Sequence, residues 1–141
     1  MTFERVFTGT PWEPRVGYCR AVKAGSHVHV SGCAPVAPGT GGDADKAGDA
    51  GGVFAPGDAY AQARRCLEIA LDALGQLGAS AADVVRTRMF VTDISRWQEY
   101  GRAHGEVFAE HPPVTTMVEV RSLIDPAMLI EIEVDAYLGG R

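Results

Sequence analysis

The sequence predicts an α+β domain in which one mixed β-sheet carries two long helices on one of its faces. Three observations lead there. Strand-like stretches come in a run at the start and again at the end, and only two segments repeat their apolar residues at helical spacing. At 141 residues and 46% hydrophobic content, the chain has the size and composition of a single globular domain.

Thr2 to Phe7 and Ala21 to Ser31 read as strands, the second broken into two short ones by a Gly25-Ser26 turn. Within it His27, His29 and Ser31 share one face, while Val28 and Val30 share the other. From Ala37 to Gly57 the chain turns to Gly, Asp, Ala and Pro, a loop inserted within a domain that spans residues 1–141. Asp58 is placed to cap a helix whose apolar positions Ala59, Ala63, Cys66, Leu67, Ala70, Leu74 and Leu77 recur at helical spacing, and Gly78 supplies the stop.

Val84 to Val91 is β-branched and strand-like. Ile94 to Phe108 places Trp97, Tyr100, His104 and Phe108 three or four apart, which predicts a second helix ended by His111-Pro112-Pro113. Strands near Val114 to Val120 and Leu129 to Leu138 follow, separated by a turn at Ile124-Asp125-Pro126-Ala127. The predicted order is β-β-β-α-β-α-β-β. With both helices on one face, the other face of the sheet, carrying Val, Met and Thr among its charges, needs a cover, and closed homo-oligomers commonly provide one.

Several function classes are disfavoured. The net charge is −5 and the 13 basic residues are scattered, apart from Arg64-Arg65 and Arg86/Arg88, so there is no electrostatic footprint for nucleic acid. No signal-like apolar run opens the chain and no stretch approaches membrane length, which predicts a cytoplasmic protein away from membranes. Cys19, Cys33 and Cys66 form no metal or redox motif and read as free thiols. His27 and His29 share a strand face but lack a third ligand, so no metal is expected. Gly39-Thr40-Gly41-Gly42 has no following Lys-Ser/Thr and reads as a flexible surface loop rather than a phosphate loop.

Four segments in order carry a resemblance: Gly17 to Val22, Val28 to Gly32, Val84 to Thr87 continuing through Phe90 to Asp93, and Pro113 to Val120 with Ile130 to Glu133. Together, over roughly residues 15 to 138, they resemble the reactive intermediate deaminase (Rid, or YjgF-type) family. The resemblance implies a chorismate-mutase-like fold and a homotrimer with a central β-barrel. It also implies ligand clefts between subunits and cofactor-independent hydrolysis of small enamines or imines such as 2-aminoacrylate. By motif it makes Glu131 the carboxylate that positions or activates water, Tyr18 a cleft-lining aromatic, and Ser31-Gly32 the turn that helps position substrate. Where the family's archetypes read Pro-Ala-Arg-Ser, this chain reads Pro113-Val114-Thr115-Thr116, followed by Met117. The carboxylate-clamping Arg is therefore Thr115, a single hydroxyl in place of a charged fork, and the substrate is expected to differ from 2-aminoacrylate.

Glu131, Glu133 and Asp135 share one face of the last strand, opposite Ile130, Ile132, Val134, Ala136 and Leu138. Ordinary strand alternation makes that a solvated polar face, and the resemblance moves Glu131 into the cleft. Arg20, Arg88 and Arg121 are the cations that could replace the clamp, with Arg20 favoured for its place two residues from Tyr18. Cys33, just after Ser31-Gly32, adjoins the cleft, and as a thiol it is either a buried apolar filler or a nucleophile. His104 and Trp97 read as packing residues on the second helix. The substrate-binding set expected is Tyr18, Arg20, Ser31, Gly32, Cys33, Thr115 and Met117. Glu131 is the expected catalytic residue, and Thr115 is expected on the face that bears it. The alternative is a trimer that keeps the cleft and binds a metabolite or a protein without turnover. A nuclease role is disfavoured by the acidic balance.

Overall fold

A computed structural model of the chain describes residues 3–38 and 52–139. Six strands form one sheet: β1 (Glu4–Val6), β2 (Ala21–Ala24), β3 (His27–Cys33), β4 (Val84–Val91), β5 (Val114–Glu119) and β6 (Ile130–Tyr137). Their spatial order is β1-β2-β3-β6-β4-β5. β4 and β5 run parallel and every other neighbouring pair runs antiparallel. The predicted α+β mixed sheet is the observed one.

A short helix α1 (Trp12–Val16), which the sequence pattern did not reveal, stands between β1 and β2. The two long helices are α2 (Ala59–Gln76) and α3 (Trp97–Phe108). Asp58 caps α2 as expected, accepting the Ala61 N–H at 2.9 Å. Gly78, at φ +81°, makes the left-handed exit that a side chain would resist. The predicted second helix begins with a 3₁₀ turn, Ile94–Arg96, before α3 proper. Of the predicted loop at 37–57, residues 39–51, with the Gly39–Gly42 stretch, lie outside the described residues.

α2 packs on β3 and β6 and against α3, so both long helices cover one face of the sheet. The buried side of β6, Ile130, Ile132, Val134 and Ala136, meets Leu67, Ala70 and Leu74 of α2 in one core with Val28, Met89 and Val91. Gln62 of α2, fully buried, donates to the Ala127 carbonyl at 2.9 Å and accepts the Leu129 N–H at 2.8 Å. That side chain fastens the β5–β6 connection to the helix.

The outward face carries Val and Thr among its charges as expected, since Val114, Thr116 and Val118 stand beside Arg86, Arg88 and Phe90, but it lacks the expected Met. Thr87 and Met89 are turned to the helix side and buried. The outward face also carries a polar network: Asp135 holds His29 at 2.7 Å and Arg88 at 3.2 Å, and Arg88 also approaches Glu133 at 3.8 Å. Trp97, expected to pack, is 55% exposed, because the 3₁₀ turn places it ahead of the buried stripe that begins at Tyr100.

Candidate functional site

The strand pairing of β3 with β6 shifts register between Val30 and Cys33, so Ser31 and Gly32 form a bulge rather than regular ladder. The bulge re-aims this stretch of backbone. Ser31 Oγ donates to the Cys19 carbonyl at 2.7 Å, tying the bulge to the segment before β2. Arg20, only 7% exposed, donates from Nη1 to the Gly32 carbonyl at 2.6 Å and lies near the Ser31 carbonyl at 3.4 Å. Its guanidinium also sits 5.7 Å from the centre of the Tyr18 ring. Four of the expected site residues, Tyr18, Arg20, Ser31 and Gly32, thus meet at one place.

Glu131 joins them. Its carboxylate lies over Gly32 so closely that a β-carbon there would stand 2.7 Å from Oε2. Glycine is required at 32 for this close approach. Glu131 is half-buried, and burial pushes its pKa up. Arg20 opposes that shift and Glu133 adds to it. A carboxylate so placed holds a proton more readily than an exposed one, which suits acid–base work.

Cys33 also meets this cluster, its Sγ 3.7 Å from Arg20 Nη1. It is wholly buried in the core, donates to the Ser31 carbonyl at 3.3 Å, and its pKa is pushed up to about 11, chiefly by burial. At pH 7 only roughly one thiol in ten thousand would be ionised, which suits a buried apolar filler better than a nucleophile. Cys66 is likewise buried and pushed up by desolvation.

Thr115 and Met117 lie elsewhere. In the parallel pairing Thr115 sits beside Thr87 and Met117 beside Met89, whereas across β4 and β6 Glu131 sits beside Phe90. Thr87 and Phe90 are three residues apart on one strand, so their side chains leave opposite faces. Thr115 and Glu131 therefore do not share a face, contrary to the expectation from sequence. Thr115 is exposed on edge strand β5, on the helix side, and its hydroxyl meets that of Thr87 at 2.6 Å. The Thr87 hydroxyl also meets His104 Nε2 at 2.8 Å. Sequence spacing could not show this chain, since it joins β4, β5 and α3.

Of the other cations, Arg88 is engaged by Asp135 and Glu133, and Arg121 is exposed. His27 and His29 stack with ring centres 6.2 Å apart. Among the described residues no three His, Cys, Asp or Glu side chains converge as a metal site, and no helix is long and apolar enough to cross a membrane.

A groove of about 690 Å³ runs beside the bulge, and Arg5, Phe7, Pro11, Tyr18 and Cys19 contribute to its walls. Its shape depends on Glu13, 3% exposed, which accepts the backbone N–H groups of Thr8 and Gly9 at 3.1 Å and the Thr8 hydroxyl at 2.8 Å. Glu13 was not singled out from the sequence because its partners are local backbone groups without a motif.

The chain as a whole is similar to known proteins. The family described as Endoribonuclease L-PSP matches residues 9–138. A crystal structure of a YjgF/YER057c/UK114 family member from Mycobacterium tuberculosis is 45% identical, with a TM-score of 0.79, covering 96% of this chain and 99% of that one. The chain belongs to the YjgF/Rid family. A RutC family protein of Pyrococcus abyssi is 31% identical over 97% of this chain and 98% of its own length. The YjgF gene product of E. coli is 29% identical with a TM-score of 0.74, over 94% of this chain and 95% of that one. Family membership accounts for the single mixed sheet with its helices on one side.

Proposed function

We propose that this YjgF/Rid-family chain is a cofactor-independent hydrolase that deaminates a small reactive enamine or imine, working as a homotrimer with its clefts between subunits. The observation that carries the reading is the half-buried Glu131 carboxylate held over Gly32 beside Arg20, with its pKa raised by burial. In the reaction, water adds through oxygen to the carbon of the C=N bond while Glu131 takes its proton. Nitrogen takes up two protons, one released by the carbinol hydroxyl as the C=O bond forms, and ammonia leaves as the C–N bond breaks.

Because Thr115 and Glu131 leave opposite faces of one sheet, a cleft containing both requires two copies, one lending the edge of β5 and the other the bulge side. Edge strand β5 suits such a contact: Val114 and Val118 are 60% and 42% exposed, and an uncovered edge invites a partner. The groove beside Tyr18 lies on the bulge side. With Thr115 where the archetypes hold Arg, the substrate differs from 2-aminoacrylate in how its acid group, if any, is bound.

The test is ammonia release from 2-aminoacrylate generated in place and from a panel of imines, with light scattering for the assembly. Turnover on at least one substrate that is lost in Glu131→Ala is expected, from a protein of three times the chain mass. A monomer, or no turnover across the panel, overturns the reading. A second reading, a trimeric module that binds a metabolite without turnover, is favoured by Thr115, whose hydroxyl already meets that of Thr87. Saturable metabolite binding that is unchanged in Glu131→Gln and unaccompanied by ammonia would establish it.

A further inference from the structure

The hydroxyl of Thr87 lies between two partners, His104 Nε2 at 2.8 Å and Thr115 Oγ1 at 2.6 Å. Thr87 is fully buried, so no water competes for it. A hydroxyl carries one proton and must donate to one neighbour while it accepts from the other. The three groups therefore form a chain with a direction, and His104 sets it. When Nε2 bears a proton, in the imidazolium or in one neutral tautomer, it donates to Thr87, Thr87 donates to Thr115, and the Thr115 hydroxyl points its proton outward. When Nε2 is bare the whole chain reverses, and Thr115 offers only lone pairs.

We propose that His104 serves the cleft as its proton reservoir, with Thr87 as the link and Thr115 as the group that hands the proton to the nitrogen of a C=N substrate. The proposal rests on the hydrolase reading above and adds the acid that Glu131 does not supply. As the substrate nitrogen takes the Thr115 proton, Thr115 takes that of Thr87, and Thr87 takes that of Nε2. One proton leaves His104, one arrives on nitrogen, and no bond to carbon changes in this step. His104 is only partly buried and regains its proton from water.

The surroundings agree with this role. On its own helix the Phe108 ring lies 4.6 Å away, while β4 and β5 bring the two threonines; among the described residues no charged group on these elements shifts His104, and burial alone lowers its pKa. The imidazolium is thus a stronger acid than an exposed one, and it is less populated at neutral pH. The arrangement also gives a physical use to Thr115 at the clamp position. Arg there would bind a carboxylate, whereas Thr linked to an imidazole can exchange a proton.

The test follows the His104 side chain by ¹H–¹⁵N NMR across pH in the trimer, its signals identified by their loss in His104→Gln. In Thr87→Val the His104 pKa is expected to fall by about one unit, because a charged imidazole loses its acceptor. Thr115→Val, which shortens the chain at its far end, should lower it less, and Thr87→Ser should restore it. On whichever C=N substrate is turned over, the alkaline limb of kcat/KM should track the His104 pKa in Thr87→Ser and vanish in Thr87→Val. A His104 titration that ignores Thr115→Val, or an unchanged pH profile in Thr87→Val, overturns the relay while leaving Glu131 chemistry intact. Absence of turnover in the wild type overturns the hydrolase reading and the relay with it.

Discussion

Gly32→Ala isolates the contact on which the site turns. A β-carbon at 32 would stand 2.7 Å from Glu131 Oε2, 2.9 Å from Cδ and 3.2 Å from Cγ. Ordinary contact begins near 3.4 Å, so the carboxylate must retreat by about 0.7 Å. The obstructing atoms are the far end of a flexible side chain, so the fold can yield. Crowding costs about 1–3 kcal/mol in a rigid core and less here. Replacing Gly gains about 0.4–1 kcal/mol by restricting the unfolded chain. The net change in stability is expected to be within about 1 kcal/mol, whereas displacement of a positioned carboxylate by most of an ångström costs on the order of 10²-fold in rate. Urea denaturation and turnover assays read the two separately. A ¹³C titration of Glu131 supplies a third measure, with the added methyl pushing its pKa higher by desolvation. Unchanged turnover together with an unmoved Glu131 titration would refute the geometry, as would a large loss of stability that Glu131→Ala does not relieve.

Three further outcomes follow from the same structure. Glu131 has a raised pKa in the fold, so between the ordinary carboxylate value and the raised one the folded state binds the extra proton and stability falls as pH increases. Glu131→Gln should lack this decline and gain on the wild type from acid to neutral pH in parallel denaturant titrations. Cys33, with its pKa near 11 and no exposed surface, should resist iodoacetamide at pH 7.5 in the native protein while the partly exposed Cys19 is modified, as peptide mass spectrometry would show. Gln62→Leu strands the Ala127 carbonyl and the Leu129 N–H in the interior and should cost about 2–4 kcal/mol of stability by urea denaturation.

Local physics wrote most of the elements into the chain. The capping Asp58, the apolar period through Leu77 and the Gly78 exit set α2 because each acts over a few residues. The β-branched run at Val84–Val91 and the alternation along Ile130–Tyr137 did the same for two neighbouring interior strands. α1 escaped notice because five residues offer too short a span for a period to emerge. The family resemblance and the meeting of Tyr18, Arg20, Ser31, Gly32 and Glu131 were likewise legible, since an ordered set of motifs names its members.

What no linear reading could supply was the side of the sheet on which each member stands. That depends on pairing register: Thr115 beside Thr87 and Glu131 beside Phe90 send the clamp position and the carboxylate to opposite faces. The bulge at Ser31-Gly32 and the link from His104 through Thr87 to Thr115 arise in the same way, from segments brought together only when β3, β4, β5, β6 and α3 assemble. A chain specifies its elements through neighbours in sequence, but the geometry of a site is fixed by contacts between residues far apart along it, and those exist only in the folded molecule.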